Sequence, residues 1–484
     1  MHEGEELCAR DWPWLSEGAE FPYLQSWGKQ MGVVAGDAMA LSLIPIPRNS
    51  ILLPLLGVPF ERALRVHRGL GQVAVIATVA HGASFFVDWG MHPRQTDGWS
   101  YIVQQCSPFC DRSTAEAAQL CDESFNEGGV NEDTWLFDTL SEKRLQNFSG
   151  VVAGMCFVAI LLSSLSWVRR NHWELFYKTH VVCALLSFVS LYYHFDLGRL
   201  DVAAPFLCLM LADYLLRAWR SFRGDATVVQ SKVFGGAEGR FLAIEVQTAR
   251  FRCTEPGQYF FVRVPSLART QWHPFSVASA PDERTTEIVL KDLGDWTHQL
   301  CSEPAKHLPT GARIRLDGPY GRLGVPIASY DAVLMCCGGI GCTPLLSVLS
   351  WLIKRAETSV SPVVWFVWTV RESALVDHFM PKLQAAQRAG FTVRIYQTGA
   401  AAAPDQESGD RAPAMCVGRP RMSRVVAAMA AEMRRKKIDR CAALGCGPKL
   451  LLQSLKAAVA APQQAGDGNG EPCVFELHEE TFEY

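Results

Sequence analysis

The chain has 484 residues, enough for two to four structural units, and 49% of them are hydrophobic against 20% charged. That balance leans towards a membrane protein. The formal net charge of −3 offers nothing to a nucleic-acid partner.

The hydrophobicity is uneven. Residues 1–20 are acidic and lack an apolar core, so no secretory signal peptide is predicted. Five strongly apolar stretches follow, at 30–47, 70–87, 148–168, 181–195 and 202–211 with flanks, each near the length a helix needs to cross a bilayer. Arginines punctuate one side of them: Arg48, Arg62, Arg65 and Arg68 after the first, Arg169 and Arg170 after the third, and Arg217, Arg220 and Arg223 after the fifth. The positive-inside rule makes that side cytosolic. The opposite side carries the acidic segment 88–147 and the N-terminus. Of the 16 cysteines, Cys8, Cys106, Cys110 and Cys121 fall outside, where disulfides form, and three pairings are open. The cytosolic cysteines are expected to be free thiols. The Asn147-Phe148-Ser149 sequon abuts a span and is expected to be unused.

The second span begins with His67 and contains His81; the fourth contains His180 and ends near His194. Both pairs are separated by 14 positions, close to four helical turns, so the members of each share a face roughly 21 Å apart. Ionisable residues inside spans are uncommon and usually functional. Two helices with matching pairs can clamp two haems, one above the other, with His67 opposite His180 and His81 opposite His194. Irons held this way have both axial positions filled and suit electron relay. Lys29 and Asp37, in or near the first span, read equally as groups facing an outer acceptor or haem propionate and as packing residues.

After residue 223 no comparable apolar stretch appears. Short β-type runs punctuated by Gly and Pro predict a small antiparallel barrel. From Asp331 strands alternate with helices, as in a doubly wound parallel sheet. In the barrel, His273-Pro274-Phe275-Ser276 is a proline-extended strand suited to a flavin edge. Lys291, ahead of Gly294-Asp295-Trp296-Thr297, joins a cation to a glycine turn and a helix start, which suits a diphosphate. Gly338-Gly339-Ile340-Gly341-Cys342-Thr343-Pro344 lies between an apolar strand and a helical run, an order that signals a nucleotide site. Arg371 and Arg419 are alternatives for a 2′-phosphate, and either is also readable as a surface arginine. Cys446-Gly447-Pro448 closes a further strand, with Cys446 near a nicotinamide or in the core. Phe482 either stacks on a flavin or simply packs. The stretches 399–413 and 461–472 read as surface loops.

In this order the motifs closely resemble the NADPH oxidase and ferric reductase superfamily over residues 27–484. The resemblance implies haem ligation by His67, His81, His180 and His194. It implies FAD contacts at His273, Pro274, Phe275, Ser276 and Lys291, with Thr297 in the adjoining motif. It implies NADPH contacts at Gly338, Gly339, Gly341, Thr343, Pro344, Arg371, Arg419, Cys446, Gly447 and Pro448, with Cys446 and Phe482 serving hydride transfer. The expected layout is an outer segment 1–26, a transmembrane haem domain 27–222, an FAD-binding barrel 223–325 and an NADPH domain 326–484. The family carries a further helix before residue 27, which this sequence does not show.

The expected activity passes electrons from NADPH through FAD and two b-type haems to an acceptor across the membrane. Arg65-Val-His67-Arg-Gly-Leu-Gly, His81-Gly82 and the short connection after His194 resemble ferric reductases. So does Phe85, where oxidases tend to place a second histidine. The acidic segment 88–147 favours the alternative, a superoxide-generating oxidase. An inactive scaffold would show broken motifs, and none is broken. The expected setting is the plasma membrane, with the nucleotide-binding half cytosolic.

Overall fold

A computed structural model describes residues 22–46, 60–90, 142–194, 200–223, 225–236, 238–248, 253–281, 283–321, 323, 325–358, 361–399, 414–461 and 473–480. Cys8, Cys106, Cys110, Cys121, Phe482, most of segment 88–147 and the connection after His194 lie outside these. The chain divides into two compact units, Met1–Tyr214 and Leu215–Tyr484.

The first unit is helical: α1 (Pro22–Ser42), α2 (Phe60–Gly90), α3 (Glu142–Ser163), the short α4 (Ser166–Asn171), α5 (Trp173–His194) and α6 (Leu200–Arg223). A helix satisfies its own backbone groups, which is what an apolar run in lipid requires. Among the described residues, three stretches are long and apolar enough to cross a membrane: Ala63–Asp88, Leu145–Ser163 and Trp173–His194. Of the five expected, the first falls short because Lys29 and Asp37 dilute α1. The expected span 148–168 is interrupted in the structure: α3 stops at Ser163 and α4 begins at Ser166. Large apolar side chains such as Ile76 (70% exposed) and Met155 (60%) face outward, as lipid-facing positions do.

The helices pack as two close pairs, α1 along α2 and α3 along α5. Glycines make the first pair possible. Gly28, Gly32 and Gly36 recur every four residues on α1, the spacing of close helix approach in membranes. A Cβ on Gly28 would sit 1.9 Å from the Ser84 hydroxyl, and one on Gly32 would sit 2.9 Å from His81 Nδ1.

The second unit opens with six antiparallel strands: β1 (Asp225–Gly236), β2 (Gly239–Thr248), β3 (Tyr259–Arg263), β4 (His273–Ser276), β5 (Thr286–Lys291) and β6 (Arg313–Tyr320). Their order is β4-β3-β6-β1-β2-β5, and a bridge between Val277 and Ile288 joins the two outer strands into a barrel. Helices α7 (Asp295–Ser302) and α8 (Pro304–His307) fall between β5 and β6. Val228, Leu242, Phe260, Ile288, Leu300 and Leu316 fill the interior.

A parallel sheet follows, built from β7 (Ala332–Gly338), α9 (Cys342–Ala356), β8 (Val363–Val370), α10 (Ser373–Arg388), β9 (Thr392–Gln397), β10 (Ala414–Val417), α11 (Met422–Arg435), β11 (Arg440–Cys446), α12 (Lys449–Ala460) and β12 (Val474–Glu480). Its order is β10-β9-β8-β7-β11-β12. Each face carries its own core, with Leu345, Leu349, Phe366 and Phe379 on one and Val425, Met429, Met433 and Leu455 on the other. Coverage on both faces explains why β7 and β8 read as unbroken apolar runs.

Charged contacts join barrel to sheet. Glu287 on β5 receives His378 Nε2 at 3.0 Å and Lys382 Nζ at 2.5 Å, both from α10. Burial pushes the Glu287 carboxyl up, but the His378 hydrogen bond and the Lys382 charge and hydrogen bond outweigh it and hold the carboxyl at about 2. A carboxyl depressed on folding stabilises fully above its unfolded value and loses that contribution as pH falls towards the folded value. The shift from 4.5 to about 2 corresponds to on the order of 3 kcal/mol. Melting temperature measured from about pH 5 down towards pH 2 should therefore fall, and Glu287→Gln should melt lower at pH 7 with a shallower acid decline. An unchanged Tm at pH 7 would show that the network adds no stability.

Candidate functional site

The helical unit brings its four expected histidines together in pairs. The ring centroids of His67 and His180 lie 6.1 Å apart, and those of His81 and His194 lie 5.7 Å apart. Imidazoles bind metals at about 2 Å through one ring nitrogen, so each spacing admits one metal atom between two rings.

The other ring nitrogen is held by backbone. His67 Nδ1 bonds the carbonyl of Ser42 at 2.9 Å, His81 Nδ1 that of Gly28 at 2.8 Å, and His194 Nδ1 that of Gln146 at 2.8 Å. A carbonyl only accepts, so Nδ1 carries the proton and Nε2 keeps its lone pair for a ligand. His180 differs: its buried Nδ1 has no hydrogen-bond partner among the described residues.

Small residues leave space around the second pair. A small cavity of about 40 Å³ is lined by Gly32, Gly36, Thr78, His81, Gly150, Ala153 and His194 among others. A Cβ on Gly150 would come within 2.6 Å of the His194 ring. Among the described residues no group of three or more His, Cys, Asp and Glu side chains is placed to hold a bare ion. Two imidazoles per site therefore fit a metal that arrives with its own equatorial ligands, as haem iron does. The glycine series on α1 and Gly150 on α3 were not anticipated; the four-residue spacing of Gly28, Gly32 and Gly36 was the available signal. Phe85 lies against His81, with centroids 5.1 Å apart. Near this end of the bundle Gln25 donates to the buried Asp88 carboxylate at 2.6 Å.

In the barrel, His273, Pro274, Phe275 and Ser276 form β4, which pairs with β3. The Trp296 ring, 8% exposed, stacks on Phe275 at 5.9 Å and tilts against His273 at 4.2 Å. Thr297 caps α7: its hydroxyl receives the amides of Leu293 and Gly294, both at 3.0 Å. Lys291 is engaged by Glu372 at 2.6 Å, across the joint between barrel and sheet. That partner lies 81 residues away, and no sequence spacing announced it.

In the sheet, the expected turns meet at one place. β7 neighbours both β8 and β11, so the strand order reverses between β7 and β11, where open α/β sheets form their ligand crevice. Gly338, Gly339 and Gly341 leave β7 there, and Cys446, Gly447 and Pro448 leave β11. A Cβ on Gly338 would sit 2.4 Å from Pro448 Cδ, and one on Gly447 would sit 2.8 Å from the Gly338 nitrogen. Gly339 has φ +54, a left-handed conformation that side chains resist. Trp368 Nε1 donates to the Gly339 carbonyl at 3.0 Å. Thr343 and Pro344 are buried in the first turn of α9. Cys446 is 1% exposed and belongs to the core beneath the turn, with Cys337 and Cys342. Burial pushes the Cys337 and Cys342 thiols well up, so both are protonated. Arg371 and Arg419 stand just beyond the carboxyl ends of β8 and β10 respectively.

Gly338→Ala should destabilise by about 1–3 kcal/mol, because overpacking here meets a proline ring. Gly339→Ala, with no atom within 4 Å of its Cβ, should cost only about 1 kcal/mol, from φ alone. Chemical denaturation of the two variants checks the ranking, and equal losses would refute the close-packing account.

Three family models match in succession: a ferric reductase like transmembrane component over residues 31–191, an FAD-binding domain over 237–323 and a ferric reductase NAD binding domain over 330–460. Ferric reduction oxidase 2 of Arabidopsis thaliana is 23% identical over 81% of this chain and 49% of its own length. The chain thus spans about half the length of the ferric reduction oxidases it matches. The heavy chain of a superoxide-generating NADPH oxidase from Dictyostelium discoideum is 26% identical over 92% of this chain and 87% of its own. Among solved structures, a flavohemoglobin from Malassezia yamatoensis aligns at 14% identity and a TM-score of 0.38 over 94% of this chain and 98% of its own. The helical half is thus a transmembrane-type domain, and FAD-binding and NAD-binding domains follow it. With those three matches in that order, this protein belongs to the NADPH oxidase and ferric reductase superfamily.

Proposed function

We propose that the protein is a transmembrane oxidoreductase that passes electrons from cytosolic NADPH, by way of FAD and two b-type haems, to a ferric chelate on the opposite side of the membrane. The observation that carries this reading is the pair of facing histidine couples, 6.1 and 5.7 Å between centroids, on two apolar helices. The division of labour is a haem domain at 27–222, an FAD barrel at 223–325 and an NADPH domain at 326–484.

FAD and haem supply the hydride-accepting and one-electron chemistry that no side chain has. The protein binds, orients and insulates. His67 with His180 and His81 with His194 would hold the two irons. With two imidazoles holding each iron, the acceptor would be reduced without binding the metal. The bonds of His67, His81 and His194 to carbonyls keep Nε2 unprotonated and the rings aimed. His273, Pro274, Phe275, Ser276 and Thr297 surround the flavin site. Gly338, Gly339, Gly341, Thr343, Pro344, Gly447 and Pro448 form the dinucleotide crevice. Arg371 and Arg419 would meet the 2′-phosphate, and Cys446 and Phe482 would serve the nicotinamide face. The arginines flanking the spans support a cytosolic nucleotide half, and the proposed setting is the plasma membrane.

Phe85 against His81 favours the ferric acceptor, because an apolar ring there offers no proton to a reduced oxygen. The match over most of the Dictyostelium superoxide-generating oxidase favours oxygen as the second reading.

The test supplies NADPH to purified protein loaded with haem and FAD, with an Fe(III) chelate under nitrogen or with oxygen alone. Fast anaerobic Fe(II) formation with little superoxide in air is expected. Superoxide at the rate of NADPH loss would make oxygen the acceptor. His81→Ala and His194→Ala should each lose about half the bound haem, one of two irons losing an axial ligand, and abolish Fe(III) reduction. Reduction that persists in either variant would overturn the transmembrane route.

A further inference from the structure

We propose that Ser347 and Lys382 are positioning residues that lock the flavin-bearing strand of the barrel to the dinucleotide-bearing helix of the sheet. The inference rests on the reading that FAD and NADPH occupy these two modules.

Strand β4 carries the His273–Ser276 motif and continues directly into Val277, Ala278 and Ser279. The amides of this continuation stay within the barrel: Val277 N donates to the Gln258 carbonyl at 3.0 Å and Ala278 N to that of Glu287 at 2.9 Å. Its carbonyls are taken by the other module. Lys382 Nζ, from α10, donates to the Ala278 carbonyl at 2.8 Å. Ser347 Oγ, from α9, donates to the Ser279 carbonyl at 2.8 Å, with Ser347 1% and Ser279 3% exposed. The same hydroxyl receives the Gly257 amide at 3.3 Å, so it ties two separate turns of the barrel.

Placement makes these bonds more than adhesion. Ser347 lies four residues beyond Thr343, one turn along the helix that begins at the glycine turn. A single stiff element therefore connects the expected pyrophosphate cradle to the end of the expected flavin strand. Lys382 is itself fixed by Glu287 at 2.5 Å, and Glu287 by His378 at 3.0 Å. Apolar contacts between modules permit sliding, whereas a buried hydroxyl and a half-buried ammonium on named carbonyls fix direction and register. Hydride transfer between two bound cofactors is sensitive to that register, since a misplacement near 1 Å costs on the order of 100-fold.

The experiment uses the full chain in detergent with bound FAD, followed anaerobically. Reduction of the flavin absorbance by NADPH is compared with reduction by dithionite, which requires no alignment. Ser347→Ala and Lys382→Met should slow the NADPH reaction about 10-fold or more. The dithionite reaction, the FAD content and the KM for NADPH should stay near wild type. Lys382→Arg, which retains a donor and a charge, should recover most of the rate. Hydrogen exchange should quicken in the segment 277–287 of both slow variants and not in β1 or β2. Wild-type protein that NADPH fails to reduce would sink the functional reading and leave the exchange result to judge the lock. Variants reduced at the wild-type rate, with unchanged exchange, would overturn the lock and spare the functional reading. If Ser347→Ala does not retain FAD, Lys382→Met against Lys382→Arg decides, and equal rates overturn the proposal.

Discussion

Inside a bilayer a polar side chain must find a partner within the protein, and that constraint organises the helical unit. Four imidazoles in an apolar bundle each bring two ring nitrogens that need one. Three of the Nδ1 atoms are satisfied by carbonyls at 2.8 to 2.9 Å, from α1 in two cases and α3 in the third. The Ser42 carbonyl closes α1, where helical carbonyls lack intrahelical partners. Gly28 lies within α1, and its carbonyl is reached because the glycines bring α2 so near. The close packing within helix pairs therefore aims the rings across the space between them. The histidines and the glycines form one device.

The second unit solves a different problem. Two modules with separate cores must hold a fixed relation while each keeps a binding surface open. Within the sheet, crowding makes the crevice rigid, for Gly338 and Gly447 approach too closely to admit a side chain. Between barrel and sheet, polar bonds set the relation. Glu287, Lys291, Ala278 and Ser279 on the barrel meet Ser347 on α9, His378 and Lys382 on α10, and Glu372 just ahead of α10. The depressed Glu287 carboxyl is the electrostatic trace of that joint. It keeps its charge throughout the neutral range, so the carboxylate side of the joint does not loosen with ordinary changes in pH.

Much of this was legible in the residues. The 14-residue histidine spacing, the change from long apolar runs to short β-type runs, and the glycine turns each follow from a period or a local conformational demand. The boundaries were less legible. Helix α1 begins at Pro22, well before its apolar stretch, and α3 ends at Ser163, inside one, because hydropathy marks what a helix buries and not where it starts or stops. The glycine series on α1 was present in the sequence but is recognisable as functional only once His81 and Ser84 stand opposite it. The Lys291–Glu372 ion pair could not be read from the sequence, because its partners are 81 residues apart.

By itself the sequence determined the class of the protein: a membrane half with paired histidines and a nucleotide-binding half of barrel and parallel sheet. Those features depend on local periodicity and composition, which one chain carries in full. Tertiary structure alone decided which carbonyl each histidine holds, which glycines are crowded, and which side chains of α9 and α10 grip the barrel. These are contacts between residues tens of positions apart, set by the meeting of finished helices and strands, and no local pattern encodes them.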